Sequence, residues 1–246
     1  MAFMSSVTEH YESHLAPIYL WMVGGIDAAI ARGQAEMDSL GLRSLKSAQA
    51  IDLGAGFGMH SIPLANLGYS VLALDSSETL LEVLRGHPGA RAIRALREDL
   101  TLFKRFVKSP VALVVCMGDT LTHLADRRSV EQLFADVADC LEAGGIFIAT
   151  FRDYSAALSK LNRFIPVRSD ADRILTCFLE YEDEAVMVHD ILHERDGSGW
   201  RQRVSAYRKI RLSADWVVRA LEARGLQVRQ EQGTAGMVRV LARRPL

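Results

Sequence analysis

Residues 50–77 read AIDLGAGFGMHSIPLANLGYSVLALDSS, and few folds accommodate that run. An apolar strand enters a glycine turn, a helical stretch follows, and a second apolar strand ends on an acid. Gly54, Ala55 and Gly56 let the backbone bend sharply and approach a ligand, while the first amides of the next helix supply donors. Asp75 ends the second strand, where a carboxylate accepts from both hydroxyls of a ribose. The unit predicts an α/β crossover holding an adenosine: NAD, FAD or S-adenosylmethionine. Asp75 before Ser76 and Ser77 also fits a simple helix cap.

The same run begins to choose among these ligands. The NAD pattern is GxGxxG, whereas here the third glycine comes one place early, at Gly58, with Met59 where that pattern wants glycine. The chain also lacks a Tyr-x-x-x-Lys pair, which weakens a short-chain reductase reading.

Downstream of residue 50, short apolar runs alternate with helical patterns, as in a parallel sheet built from crossover units. The expected strands are 49–53, 70–74, about 90–95, 111–116 and 145–149, with Gly68 and Gly144 just past the ends of helices. After residue 170 three longer strand-like runs, joined by turns at EDE and DGSG, predict an inserted antiparallel meander over 170–211. SADWVVRALEARG then reads as a helix capped by Ser213, and LQVRQEQG and GMVRVLAR as a closing strand pair. Residues 5–46 read as helical, with Tyr11, Tyr19 and Trp21 ahead of Gly24 and Gly25. The absence of repeats and of Pro/Gly/Ser-rich linkers points to a single domain, 1–246.

Bulk properties narrow the function. With 246 residues, 49% hydrophobic and a net charge of -1, the chain buries a full core but has no basic stripe to grip a polyanion, so nucleic acid is not expected. Three scattered cysteines, Cys116, Cys140 and Cys177, suggest neither a disulfide framework nor a zinc cluster. The start lacks a signal peptide, and no apolar stretch reaches membrane-span length. A reduced, cytoplasmic protein is expected, without membrane partners; a homo-oligomer is compatible. His10 and His14, or His189 and His193, share a spacing of four, but the second pair lies on a predicted strand, some ~13 Å apart. Neither pair is assigned to metal.

The assembled motifs resemble the class I S-adenosylmethionine-dependent methyltransferases, and among them the small-molecule branch of glycine and sarcosine N-methyltransferases. IDLGAGFG looks like their first motif and Asp75 like their ribose acid. REDL at 97–100 would set Asp99 against the adenine amine with Leu100 donating its backbone amide; Asp99 equally suits the start of a helix. VVCMGDTLTHL at 114–124 is similar to the branch's LGNSxxHL, with Asp119 replacing an asparagine.

By this likeness Met117 and Gly118 contact the cofactor, Ser76 joins Asp75, and His123 lies near the reacting centre as a candidate base. A lone histidine of this kind is also often structural. ATFRDYS at 149–155 resembles an element whose arginine holds a substrate carboxylate, which would give Arg152 and Tyr154 to the acceptor; a pair between Arg152 and Asp153 is the plainer alternative. The N-terminal segment, 1–46, resembles a lid, with Tyr19 reaching the cofactor. The resemblance implies a Rossmann-like three-layer fold with a mostly parallel seven-stranded sheet and an antiparallel C-terminal strand. It further implies S-adenosylmethionine as cofactor, S-adenosylhomocysteine as product, no metal, and methyl transfer to a small-molecule amine or amino-acid nitrogen. An NAD-linked oxidoreductase and a non-catalytic S-adenosylmethionine-binding protein are the competing readings.

Overall fold

The computed structural model describes residues 10–42 and 48–246; the ends of the expected 5–46 helical segment, 5–9 and 43–46, lie outside them. Five parallel strands form the frame: β1 (Gln49–Leu53), β2 (Ser70–Asp75), β3 (Ile93–Arg97), β4 (Val111–Cys116) and β5 (Leu141–Phe151). A second sheet is inserted after β5, made of β6 (Phe164–Ser169), β7 (Arg173–Tyr181), β8 (Ala185–Asp196) and β9 (Gly199–Ile210). The hairpin β10 (Gln227–Gln232) and β11 (Val238–Arg243) completes the first sheet, in the order β10-β11-β5-β4-β1-β2-β3, with β11 antiparallel to β5. The expected seven-stranded, mostly parallel sheet is therefore observed.

Six α-helices are described: α1 (Ala16–Met22), α2 (Ile26–Ser39), α3 (Ser61–Asn66), α4 (Glu78–Gly86), α5 (Arg127–Cys140) and α6 (Ala214–Glu222). Alternation along the strands decides which helix covers which face. Ile51, Leu53, Val114 and Cys116 point to α5 and α6, while Ala50, Leu113 and Val115 point to α2 and α3. On α5 the buried stripe Val130, Leu133, Phe134, Val137 follows the i, i+3, i+4, i+7 spacing of a helix with one apolar face. Each such fully buried side chain contributes about 1.5–3 kcal/mol of transfer free energy. Among the described residues no single helix is long and apolar enough to cross a membrane; α2 and the helical run Tyr11–Met22 pass that test only as a pair bent by 77°. All three cysteines are free.

Four expectations need correction. The meander has four strands, not three, because β6 pairs antiparallel with β7 through a register shift around Pro166 and Arg168. Gly144 does not close a helix: α5 stops at Cys140, and Gly144, at φ +78, lies inside β5, which begins four residues before the expected 145. The helix end is held instead by the Arg244 guanidinium, whose Nη1 donates to the carbonyls of Ala138, Asp139 and Leu141. The third strand starts at Ile93 because Pro88–Ala92 forms a 3-10 turn. The N-terminal helix is broken, with a π-helical turn at Tyr11–Leu15 running into α1 and Gly24 and Gly25 at positive φ before α2.

Gly33 fixes how α2 meets the glycine turn. A Cβ at Gly33 would lie 2.0 Å from the Met59 carbonyl oxygen, so the helix backbone sits directly on the loop. In a free helix, alanine is better than glycine by about 1 kcal/mol. Here Gly33→Ala is expected to lower stability by about 1–3 kcal/mol, since the overlapping atom is backbone. A chemical denaturation curve measures it, and an unchanged or higher midpoint would rule out this contact.

Candidate active site

The carboxyl ends of β1 to β4 converge where the strand order turns, between β1 and β4. Open α/β sheets bind ligands at such a point. A cavity of about 660 Å³ opens there, lined by the loops that follow β3, β2, β1 and β4 in turn and roofed by Tyr11 and Tyr19 of the N-terminal segment.

Gly54, Gly56 and Gly58 all adopt positive φ, and the Gly54 and Ala55 amides donate to the Leu74 carbonyl, folding the turn back onto β2. Asp75 then ties the loop together: its Oδ2 accepts from the Gly56 amide at 2.7 Å and its Oδ1 from the Ser77 amide at 2.8 Å. The helix cap belongs to Ser77, whose hydroxyl accepts from the Leu80 amide, and so Asp75 faces the cavity with acceptor capacity to spare. Burial raises the Asp75 carboxyl above its ordinary value, although the amides of Ser77, Gly56 and Ser76 work against it. Ser76 lines the cavity beside it.

At the β3 end, Asp99, Leu100 and Thr101 line the wall. The helix-start reading of Asp99 is observed: its Oδ1 accepts from the Thr101 amide and hydroxyl, capping a 3-10 helix at Leu100–Phe106, while the residue also lines the cavity. After β4, Met117 and Gly118 line the wall, and Gly118 donates its amide to Thr150 Oγ1 at 2.8 Å.

Under the roof Tyr11, Tyr19 and His123 meet. The Tyr11 hydroxyl is 3.4 Å from His123 Nε2, the Tyr19 and Phe57 rings are 5.9 Å apart, and the His123 imidazole stacks on Tyr207 of β9. Burial, then the Lys209 ammonium and His10, hold the His123 pKa well below the usual imidazole value, so it is neutral at pH 7. Burial pushes Tyr11 and Tyr19 above the usual phenol range.

Two expected acceptor residues do not reach this cavity. Arg152 is exposed at the end of the sheet and its Nη1 donates to the Ala235 carbonyl at 3.3 Å, turning the fork toward the β10-β11 hairpin; its backbone amide is the part that faces inward, onto Asp119 Oδ1. Tyr154 is buried beside Leu179, Val186 and Tyr207, with its hydroxyl directed to Asp119 Oδ2.

The structure also shows contacts of the N-terminal segment that local sequence did not indicate. Glu12 crosses from the N-terminal segment to the start of α4, where its Oε1 accepts from the Glu78 amide and its Oε2 from Thr79 Oγ1. Burial alone would raise its carboxyl, but hydrogen bonds from Thr79, Ser77 and Glu78 bring it below the ordinary value. An acid at a helix N-terminus is favourable in any case. On the other side, His10 Nε2 lies 3.0 Å from Asp190 Oδ2 and its Nδ1 2.6 Å from Ser205 Oγ, while Trp21 donates to Asp170. The segment is thus pinned to α4 on one side and to the inserted sheet on the other. Among the described residues no group of three His, Cys, Asp or Glu side chains is placed to hold a metal ion.

Residues 50–145 match the family model described as a methyltransferase domain. The chain is 31% identical over 135 residues to a glycine/sarcosine N-methyltransferase of Parasynechococcus marenigrum, an alignment covering 52% of this chain and 47% of that protein. The chain spans about half the length of the curated relatives it matches. Among solved structures it superposes on the CcbJ methyltransferase of Streptomyces caelestis with a TM-score of 0.76 at 19% identity, covering 96% of this chain and 98% of that one. The sugar N-methyltransferase KedS8 of Streptoalloteichus gives 0.73 at 14% identity, covering 100% and 97%. The likeness to class I S-adenosylmethionine-dependent methyltransferases read from the motifs is thereby borne out in domain and fold.

Proposed function

We propose that this chain, which carries a methyltransferase domain at residues 50–145, transfers a methyl group from S-adenosylmethionine to the nitrogen of a small-molecule amine. The observation that carries the reading is the single cavity joining Asp75 and the glycine turn to the Tyr11 and His123 pair. Its volume, about 660 Å³, suits a cofactor of this size with an acceptor beside it. The curated relative of Parasynechococcus marenigrum acts on glycine and sarcosine by its name, and the Streptoalloteichus enzyme on a sugar, so an amine is the shared acceptor chemistry.

The fit of the cofactor rests on the chain's own groups. Asp75 would accept from the ribose hydroxyls, and Asp99 and Leu100 would meet the adenine; all three line the cavity beside the glycine turn at 54–56. Tyr11 and Tyr19 present aromatic faces to a cation. When bound, S-adenosylmethionine supplies an activated methyl on a sulfonium. The remaining task is positioning and exclusion of water, which Tyr11, Tyr19 and the pinned N-terminal segment perform. An amine arrives largely protonated at pH 7 and reacts in its neutral form; His123 Nε2, 3.4 Å from the Tyr11 hydroxyl, is placed to pass the departing proton on, and its low pKa means that it relays the proton rather than retaining it.

The Arg152 fork is turned to the hairpin, so the proposal rests on the amine of the acceptor and not on a carboxylate held by Arg152. The test is S-adenosylhomocysteine release with a panel holding glycine, sarcosine and amino sugars, with product mass as the second readout. Amine-dependent release is expected; its absence with every amine, in protein that binds S-adenosylhomocysteine, would reject catalysis.

A further inference from the structure

We propose that the buried pair of Asp119 and Lys209 is a positioning device for this reaction, by which β9 of the inserted sheet sets the place of His123. The inference rests on the methyl-transfer reading above. Asp119 is 4% exposed and adopts φ +77, directly after Gly118 at φ +74. Two consecutive left-handed residues end β4 abruptly, and Asp and Asn are among the side chains that tolerate the second of these positions.

Asp119 is bonded on every side. Its amide donates to the Thr150 carbonyl, and its carbonyl accepts from the Thr122 amide and hydroxyl, which closes the 3-10 turn Thr120–His123. Its Oδ1 accepts from the Arg152 amide at 2.8 Å; its Oδ2 accepts from the Lys209 ammonium at 2.5 Å and the Tyr154 hydroxyl at 3.3 Å. An asparagine, the residue of the related pattern, would serve Arg152 equally well. It would not neutralise Lys209.

Lys209 is itself only 8% exposed at its side chain, over the faces of Tyr154 and Tyr207. Tyr207, two residues away on the same face of β9, stacks on His123 with planes 10° apart. One strand therefore holds both ends of the turn, Lys209 at Asp119 and Tyr207 at His123. Buried ion pairs stabilise little compared with apolar residues of the same volume, so stability alone is a weak reason for this one. The groups that face His123 are Tyr11 and His10 from the N-terminal segment, and Tyr207 and Lys209 from β9. The Lys209 charge disfavours a second cation beside it, which keeps the imidazole neutral at rest and quick to give up any proton it receives.

The test compares Lys209→Met, Asp119→Asn and the double variant in the full chain. Each single change leaves one buried charge without a partner and shifts the turn, so kcat is expected to fall about 100-fold. S-adenosylhomocysteine affinity is expected to stay within about threefold, because neither residue lines the cofactor cavity. The double variant, neutral at both positions, should recover kcat to within about tenfold of the starting protein and move the acid limb of its pH profile upward. Additive losses in the double variant, or single variants with unchanged kcat, would overturn the proposal. NMR titration of His123 in the ligand-free protein reads the same pair without turnover: the imidazole should titrate at higher pH in the double variant. An unmoved titration overturns the proposal even if no acceptor is ever found, whereas a shifted titration in a protein without transferase activity faults only the methyl-transfer reading.

Discussion

Asp75→Asn is expected to weaken S-adenosylhomocysteine binding about 100-fold, although the substitution changes a single atom. The carboxylate does two jobs at once. Its two oxygens already accept from the amides of Gly56 and Ser77, and in the proposed function its remaining lone pairs would serve the ribose hydroxyls. Hydrogen bonds to a charged group are worth about 1.5–3 kcal/mol each, so two ribose contacts reach the 100-fold range. Asparagine keeps one acceptor oxygen but turns an NH2 toward either the Gly56 or the Ser77 amide, donor against donor, and so loosens the loop as well.

The same site predicts a pH dependence. Burial raises the Asp75 carboxyl, and the ionised form is the one that would accept from both ribose hydroxyls. Affinity should be full above that raised pKa and decline as the pH falls through it, at a higher pH than for an exposed aspartate. Calorimetric titrations at stepped pH check this, and a dissociation constant unchanged by Asp75→Asn would remove Asp75 from the site.

Gly54→Ala should be as damaging by a different route. At φ +80 an L side chain is strained by about 1–2 kcal/mol, and the added Cβ would lie 2.5 Å from Thr120 Cγ2 and 2.6 Å from Thr120 Oγ1. Thr120 cannot yield freely, since its hydroxyl donates to the Met117 carbonyl. A total loss of about 2–4 kcal/mol in stability is expected, together with loss of cofactor binding, because the turn forms the floor of the cavity. Adding Thr120→Ala removes the two closest atoms, and the pair should regain part of the stability but not the cost of the left-handed backbone. Equal stability of Gly54→Ala and the starting protein would mean that the turn is not built this way.

What could be read from sequence follows from the range of the interactions. The glycine turn, the alternating strands and the Ser213 cap are local patterns, and they lie where expected. β6 escaped because Phe164–Ser169 contains a proline and is mostly exposed, so it carries no burial alternation; only pairing with β7 makes it a strand. Gly144 misled because Arg244, from the far end of the chain, does the capping that glycine usually signals.

In the site, the positions that line the cavity are legible since each strand end follows its own apolar run. Side-chain direction is not: Arg152 stands at the expected strand end but points its fork to the hairpin. Glu12 and Lys209 act across 66 and 90 residues of chain, beyond any local pattern. A lysine in step with Ser205 and Tyr207, at the buried end of β9, was the available hint of a buried partner.

In the proposed function the cavity above Asp75 holds S-adenosylmethionine rather than a dinucleotide. Calorimetric titration of the full chain with S-adenosylhomocysteine and, separately, with NAD tests it most directly. Saturable binding of S-adenosylhomocysteine that is weakened by Asp75→Asn, with no comparable heat from NAD, is the predicted result. Tight NAD binding without S-adenosylhomocysteine binding would contradict it.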